Sequence, residues 1–135
     1  MNDCLFCNII KGLIPCNKVY EDSSIIGFLD INPANLGHVL IVPKKHYRNI
    51  YDTDNEVLKS MIIASKKVSK ALKVGLGAEG INIISNNEEV AGQLVFHIHF
   101  HLIPRFEGDG NKWILNKKDY LGQEKEVIEK IKKFL

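Results

Sequence analysis

Apolar and polar positions along the chain change period several times, and each change marks a predicted element. Leu5, Phe6, Ile9 and Ile10 share one helical face, with Asp3 where a cap would stand and Gly12 where a short helix would end. Lys18–Glu21 and Ile25–Leu29 read as strands about the turn Glu21-Asp22-Ser23-Ser24, and residues 38–42 as a third strand closed by Pro43. Thr53-Asp54-Asn55-Glu56 has the form of a capping box, followed at helical spacing by Val57, Leu58, Met61, Ile62, Val68 and Leu72 until Gly75 and Gly77. Residues 81–85 and 95–103 supply two further strands. Val127, Ile128, Ile131, Phe134 and Leu135 predict a C-terminal helix, with Glu126 and Lys130, and Glu129 and Lys133, one turn apart. Five strands, one long central helix and short terminal helices predict an α+β fold with antiparallel pairing where hairpins permit. No linker or repeat divides residues 1–135, so a single domain is expected.

One of these segments carries chemistry. In Gln93-Leu94-Val95-Phe96-His97-Ile98-His99-Phe100-His101-Leu102-Ile103, three histidines alternate with apolar residues. A period of two sends all three imidazoles to one face of a strand, neighbours lying about 6.6 Å apart along it, while Phe96, Ile98, Phe100 and Leu102 anchor the other face. Such a row could also be a metal cluster, or buried side chains satisfied by hydrogen bonds. Its neighbours Ala91-Gly92-Gln93 and Pro104-Arg105 favour a catalytic reading, because functional sites concentrate such groups. A neutral imidazole is a competent nucleophile near pH 7, and His99 is central, flanked by His97 and His101. His101 is placed to hydrogen-bond phosphoryl oxygens or protonate a leaving group, and the Ala91-Gly92-Gln93-Leu94 turn can offer backbone N–H groups.

Composition narrows the partners. Eighteen basic against sixteen acidic residues leave a net charge of +2, which argues against an electrostatic nucleic-acid clamp and for a small ligand. The apolar runs are too short to span a bilayer, and Met1-Asn2-Asp3-Cys4 does not begin a signal peptide. A cytoplasmic location without a membrane partner is expected. Three cysteines, two of them paired as Cys4-Leu5-Phe6-Cys7, suit a reducing compartment and a metal or redox role, and Cys16 has no evident partner.

The triad, with Asp30-Ile31-Asn32-Pro33, the segment Gly37-His38-Val39-Leu40-Ile41-Val42-Pro43-Lys44-Lys45-His46 and residues 86–93 in the same order, resembles the histidine triad (HIT) family of nucleotide hydrolases and transferases. The resemblance runs from about Cys4 to about Trp113 and is nearest the Hint-like branch. It implies a HIT-like fold with a five-stranded antiparallel sheet, and attack by His99 on a nucleotide's α-phosphorus to give a covalent nucleotidyl-histidine. By the same resemblance Asp30 accepts the ribose hydroxyls, Asn86, Gly92, Gln93, Leu94, His99 and His101 meet phosphate or leaving group, and His38 supports the triad from behind. Leu5, Phe6, Ile9, Phe28 and Ile31 would line the slot for the base. Leu94 stands where some relatives carry serine, so a hydroxyl contact to phosphate is absent here. A histidine at the third triad position points to hydrolysis, since branches that transfer nucleotides to sugar phosphates carry glutamine there.

The resemblance also implies a structural zinc ion held by Cys4, Cys7, His46 and His97, no organic cofactor, and a homodimer formed through the helix of residues 53–72 and a neighbouring strand edge, with Trp113 and the C-terminal segment reaching toward the partner's site. The expected activity is hydrolysis of purine nucleoside 5′-phosphoramidates or related AMP conjugates. The alternatives are a dinucleoside polyphosphate hydrolase and a zinc-containing nucleotide sensor or scaffold without turnover.

Overall fold

The computed structural model describes residues 3–112 and 114–135. In chain order the elements are α1 (Leu5–Ile10), β1 (Lys18–Glu21), β2 (Ile25–Leu29), β3 (Val39–Pro43), α2 (Asn55–Leu76), β4 (Gly80–Ile84), a 3₁₀ turn at Glu89–Ala91, β5 (Phe100–Arg105) and α3 (Glu124–Lys132). The strands form one antiparallel sheet in the order β1-β2-β3-β5-β4, with β1 and β4 at its edges.

Alternation sorts the central strands onto two faces. Ile25, Val39, Ile41, Phe100 and Leu102 pack beneath Met61, Ala64, Val68 and Leu72 of α2, while Ile26, Phe28, Leu40 and Val42 pack with Phe6 of α1. His101 pairs across the ladder with Leu40, and so belongs to the α1 face. The chemistry thus lies on the side away from the long helix.

Several boundaries differ from those predicted, for local reasons. Cys4, not Asp3, caps α1: its sulfur accepts the Cys7 N–H at 3.2 Å. The Thr53 capping box does not form, because the Thr53 hydroxyl donates to the Asn49 carbonyl and α2 starts from Asp54, whose carboxylate is taken by Tyr47 and Lys45. Gly75 lies inside α2, and Gly77 ends it in the left-handed conformation. Ile62 faces outward, half exposed.

The largest difference concerns the triad. β5 begins only at Phe100, whereas residues 95–97 bend and residues 98–99 are irregular. Phe100 pairs with Ile41, so the same register would set Ile98 opposite Pro43, and proline has no N–H to give. The Ile98 N–H turns instead to the Tyr47 carbonyl at 2.8 Å. His97 and His99 are therefore freed from the strict strand geometry that His101 keeps.

Gly37 makes the approach to His38 possible. Its φ is +86°, and a Cβ there would lie 2.4 Å from Leu76 Cδ1 and 3.3 Å from Leu72 Cδ2. Gly37→Ala is expected to lower the unfolding free energy by about 1–3 kcal/mol, from backbone strain together with the clash. Urea denaturation checks this, and an unchanged midpoint would mean that the loop carries no such constraint.

Candidate active site

Four histidines meet on the α1 face, and the backbone gives each a different character. The Ala34 N–H donates to His38 Nδ1 at 2.9 Å, which leaves the His38 proton on Nε2. That N–H reaches His101 Nδ1 at 2.9 Å, so His101 carries its own proton on Nε2. His99 donates from Nδ1 to the His97 carbonyl at 2.7 Å, which leaves its Nε2 with a free lone pair. His97 donates from Nε2 to the Pro43 carbonyl at 2.8 Å and keeps Nδ1 bare. The rings of His99 and His101 lie 5.0 Å apart, one offering a base and the other a donor.

Burial keeps these rings neutral. It pushes the His99 and His38 pKa values down, and it drives His101 down to about 4, helped by repulsion from His99 and His38. Asp30 opposes the shift, with Oδ2 3.6 Å from His38 Nε2 and 3.9 Å from His101 Nδ1. Asp30, His38 and His101 lie close enough to resemble a ligand set. The fixed tautomers argue against that, since the Ala34 N–H occupies one nitrogen of His38 and a proton the other.

Cys4, Cys7, His46 and His97 form a different cluster, their ligand atoms all within 4.8 Å of one another. His97 Nδ1 lies 3.4 Å from the Cys4 sulfur, 3.5 Å from that of Cys7 and 3.2 Å from His46 Nδ1, while the Cys7 sulfur lies 3.3 Å from His46 Nδ1. A tetrahedral ion bound at about 2.0 Å to nitrogen and about 2.3 Å to sulfur separates two nitrogens by roughly 3.3 Å and a sulfur from a nitrogen by roughly 3.5 Å. The donor chemistry fits as well. Burial holds His97 neutral, with a pKa lowered to about 4, and its second nitrogen is pinned to a carbonyl as ligating histidines require. Burial and the adjacent Cys4 push the Cys7 thiol up to about 11, so ionising both sulfurs calls for a cation between them.

A cleft of about 750 Å³ opens over His99 and His101. Leu5, Phe6, Ile9, Phe28 and Ile31 line it as predicted, joined by Ile14, Pro15, Cys16, Asn17 and Asn32. Asp30, His38, Asn86, Gly92, Leu94 and Val95 are also in its walls. Gln93 is not. Its buried amide accepts the Glu88 N–H and donates to the Arg48 and Val95 carbonyls, fastening the turn from inside. Glu88, held at φ +77°, is tied further by Arg48 and Asn49. The backbone N–H groups of Ala91, Gly92 and Gln93 are all spent within the turn, whereas those of Leu94 and Val95 form no backbone hydrogen bond among the described residues. His97 is also outside the cleft and meets it through its carbonyl, bonded to His99, and through its ring, packed edge-on against Phe6. Trp113 lies outside the described residues.

The HIT domain profile matches residues 11–108. A HIT-like protein of Methanocaldococcus jannaschii is 53% identical over 107 residues, which cover 79% of this chain and 82% of that protein. The adenosine 5′-monophosphoramidase of Schizosaccharomyces pombe is 41% identical over 102 residues, covering 76% of this chain and 74% of that one. The crystal structure of a Zn-bound histidine triad family protein from Mycobacterium smegmatis superposes with a TM-score of 0.80 at 37% identity, covering 87% of this chain and 85% of that one.

The lowered His101 pKa has a definite sign. Unfolded, the ring takes up a proton near its ordinary 6.5; folded, it does so near 4, so the unfolded state binds more protons between those values. Stability is expected to fall on acidification from about pH 6.5 to pH 4, by up to about 3 kcal/mol from this group. His101→Gln should flatten part of that slope in unfolding curves taken across the range, and parallel slopes for the two proteins would refute the assignment.

Proposed function

The chain belongs to the HIT domain family, and on that premise we propose that it is a nucleotide hydrolase of the Hint-like branch, cleaving purine nucleoside 5′-phosphoramidates or related AMP conjugates through a nucleotidyl-histidine. The observation that carries this reading is the opposite protonation of two neighbouring rings at the polar end of a cleft whose other end is apolar: a bare Nε2 on His99 beside an Nε2–H on His101. A 41% identical relative named an adenosine 5′-monophosphoramidase supports the substrate class.

In the reaction, the base occupies the apolar slot of Leu5, Phe6, Ile9, Phe28 and Ile31, and the Asp30 carboxylate accepts the ribose hydroxyls. His99 Nε2 attacks the α-phosphorus. A phosphorus–nitrogen bond to the ring forms as the bond to the leaving amine breaks, and the amine departs with the electron pair and a proton from water. Positive charge that grows on the His99 ring is met at Nδ1–H by the His97 carbonyl. The His101 Nε2–H, the Asn86 amide and the Leu94 N–H face the phosphoryl oxygens. An added proton on His101 Nδ1 would point at the proton on His38 Nε2, so this pair works as an oriented donor, not a proton store. The hydroxide left by that water then attacks phosphorus, the phosphorus–nitrogen bond breaks with its electron pair returning to Nε2, and the nucleoside monophosphate leaves.

The metal centre is assigned to zinc, the ion that a Cys₂His₂ tetrahedron suits, in keeping with the Zn-bound relative. With four protein ligands the ion, when bound, cross-links the N-terminal segment to His97 and supplies no open coordination position. The assembly is a homodimer of a cytoplasmic protein, its contact made by the outer face of α2 and the β4 edge, where Ile62, Ile63 and Ile83 are half exposed. Among the described residues no helix is long and apolar enough to cross a membrane.

His99→Ala is expected to abolish turnover of adenosine 5′-phosphoramidate, by about 10³-fold or more in kcat, whereas Asp30→Ala should act chiefly on KM, raising it roughly tenfold or more. Steady-state kinetics separates the two, and a His99→Ala protein of wild-type rate would end the nucleophile assignment.

For the metal, the measurement is zinc content beside melting temperature and kcat in a Cys4→Ser, Cys7→Ser double variant. Zinc should fall from one per chain to near none and the melting temperature should drop, with kcat reduced less than about tenfold, since removing a structural ion costs folding energy before chemistry. Full zinc occupancy in that protein would refute these ligands.

A further inference from the structure

His101 serves as a donor only while its proton stays on Nε2, and the cause of that state runs back through His38 to the Ala34 N–H. Ala34 lies in the connection of residues 30–38 between β2 and β3, which forms bends and turns. Its long-range ties run to the chain beyond the triad. The Asn35 side chain donates to the Pro104 carbonyl at 2.9 Å and to Asp109 Oδ2 at 2.8 Å, and the Ala34 carbonyl accepts from the Asn111 side chain at 2.8 Å. We propose that Asp109 is a positioning residue for the His38–His101 pair: through Asn35 it holds the Ala34 N–H on His38 and so keeps the donor proton on His101 Nε2. The kinetic part of this inference rests on the hydrolase reading above, and the protonation part does not.

Asp109 is suited to the part. Its side chain is 7% exposed. Oδ2 accepts from Arg105 Nε at 2.8 Å and the Phe106 N–H at 3.1 Å besides Asn35, and Oδ1 accepts from a second Arg105 nitrogen at 3.1 Å and the Asn111 N–H at 2.9 Å. These donors saturate a carboxylate, and the Arg105 guanidinium foremost among them holds its pKa well below the usual range, so it remains an acceptor wherever the histidines are neutral. Arg105 and Pro104 belong to β5, as His101 does. The loop that carries the Ala34 N–H is therefore referenced to the strand that carries the ring. A purely local ion pair would end at Arg105; the Asn35 amide extends this one to the loop.

Releasing that loop has a specific chemical result. Without the Ala34 donor, His38 is free to place its proton on Nδ1. Its Nε2 then presents a lone pair to the lone pair of His101 Nδ1 at 2.9 Å, and the two repel. The pair relieves this when His101 gives up its Nε2 proton to water and takes one on Nδ1, which reverses the hydrogen bond with no change of charge. The reversed pair offers a phosphoryl oxygen a lone pair where it needs a donor.

Long-range proton–nitrogen correlation spectra read the tautomers directly. The wild-type protein should show His38 and His101 as Nε2–H forms, and Asp109→Asn should bring in the Nδ1–H forms of both while His99 stays Nδ1–H. Asn35→Ala should do the same, and the double variant should do no more than either, since both substitutions break one link. Asn82→Ala is the control: it removes the 2.8 Å bond from Arg105 to β4 and leaves the route to Ala34 intact, so it should lower stability without altering either ring. With adenosine 5′-phosphoramidate, kcat should fall about tenfold in Asp109→Asn and in Asn35→Ala with KM held within about twofold, and Asn82→Ala should keep the wild-type kcat within about twofold. Unchanged tautomers in both Asp109→Asn and Asn35→Ala would overturn the proposal, as would an equal change in Asn82→Ala. Altered tautomers beside a wild-type kcat would overturn its link to turnover. If the wild-type protein does not hydrolyse the compound, the hydrolase reading fails, and the spectra still decide whether Asp109 positions the pair.

Discussion

Backbone groups decide which nitrogen of each histidine carries the proton, and the rest of the site depends on that constraint. An imidazole alone presents two equivalent choices. The Ala34 N–H and the Pro43 and His97 carbonyls remove the choice at His38, His97 and His99, and His101 inherits its state from His38. Four chemically identical side chains thus take different states, His99 with a bare Nε2, His97 with a bare Nδ1, and His38 and His101 with Nε2–H, in keeping with the proposed roles of nucleophile, metal ligand, support and donor. None of these roles needs a charged ring, and burial enforces neutrality in His38, His97, His99 and His101 alike.

The fold supplies this arrangement by ending a ladder early. Because Pro43 cannot continue hydrogen bonding with the approaching chain, residues 95–97 bend, and His97 turns toward the two cysteines while its carbonyl stays with His99. One residue therefore belongs to two clusters through opposite ends of its chemistry, the ring to the sulfurs and the main chain to His99. The turn of residues 88–93 is built with comparable economy. Gln93 fills its interior with three hydrogen bonds, and the strained backbone at Glu88 is held by side-chain bonds to Arg48 and Asn49.

Much of this was legible in the chain. Short apolar runs between turn residues located four strands and alternation the fifth, helical spacing located α2, and the triad with its flanking landmarks identified the family. What escaped had physical causes. A strand pattern over residues 95–103 reports side-chain alternation and cannot reveal that the neighbouring strand runs out of donors at Pro43. Thr53 and Glu56 match a capping box, yet Asn49 competes for the threonine hydroxyl and Tyr47 and Lys45 occupy Asp54. Gln93 looked like a ligand residue because it stands beside Gly92, but its buried amide is committed inward. The contributions of Ala34 and Pro43 are made by main-chain atoms, which carry no residue-specific signal. Ile14, Pro15 and Cys16 reach the cleft by tertiary proximity from a segment without periodicity.

The helix α1 has six residues, too few to persist in water by itself, yet with its cap Cys4 it brings two sulfurs to the Cys/His cluster and three side chains to the cleft. Its anchoring contact joins positions 93 residues apart, from Cys4 to His97. Closing so long a loop carries an entropic cost that local helix formation cannot offset, so this segment is expected to dock after the sheet and α2 have formed. The α1 wall of the cleft is consequently a late product of folding: a newly made chain can be well ordered in its sheet and still lack one side of that cleft.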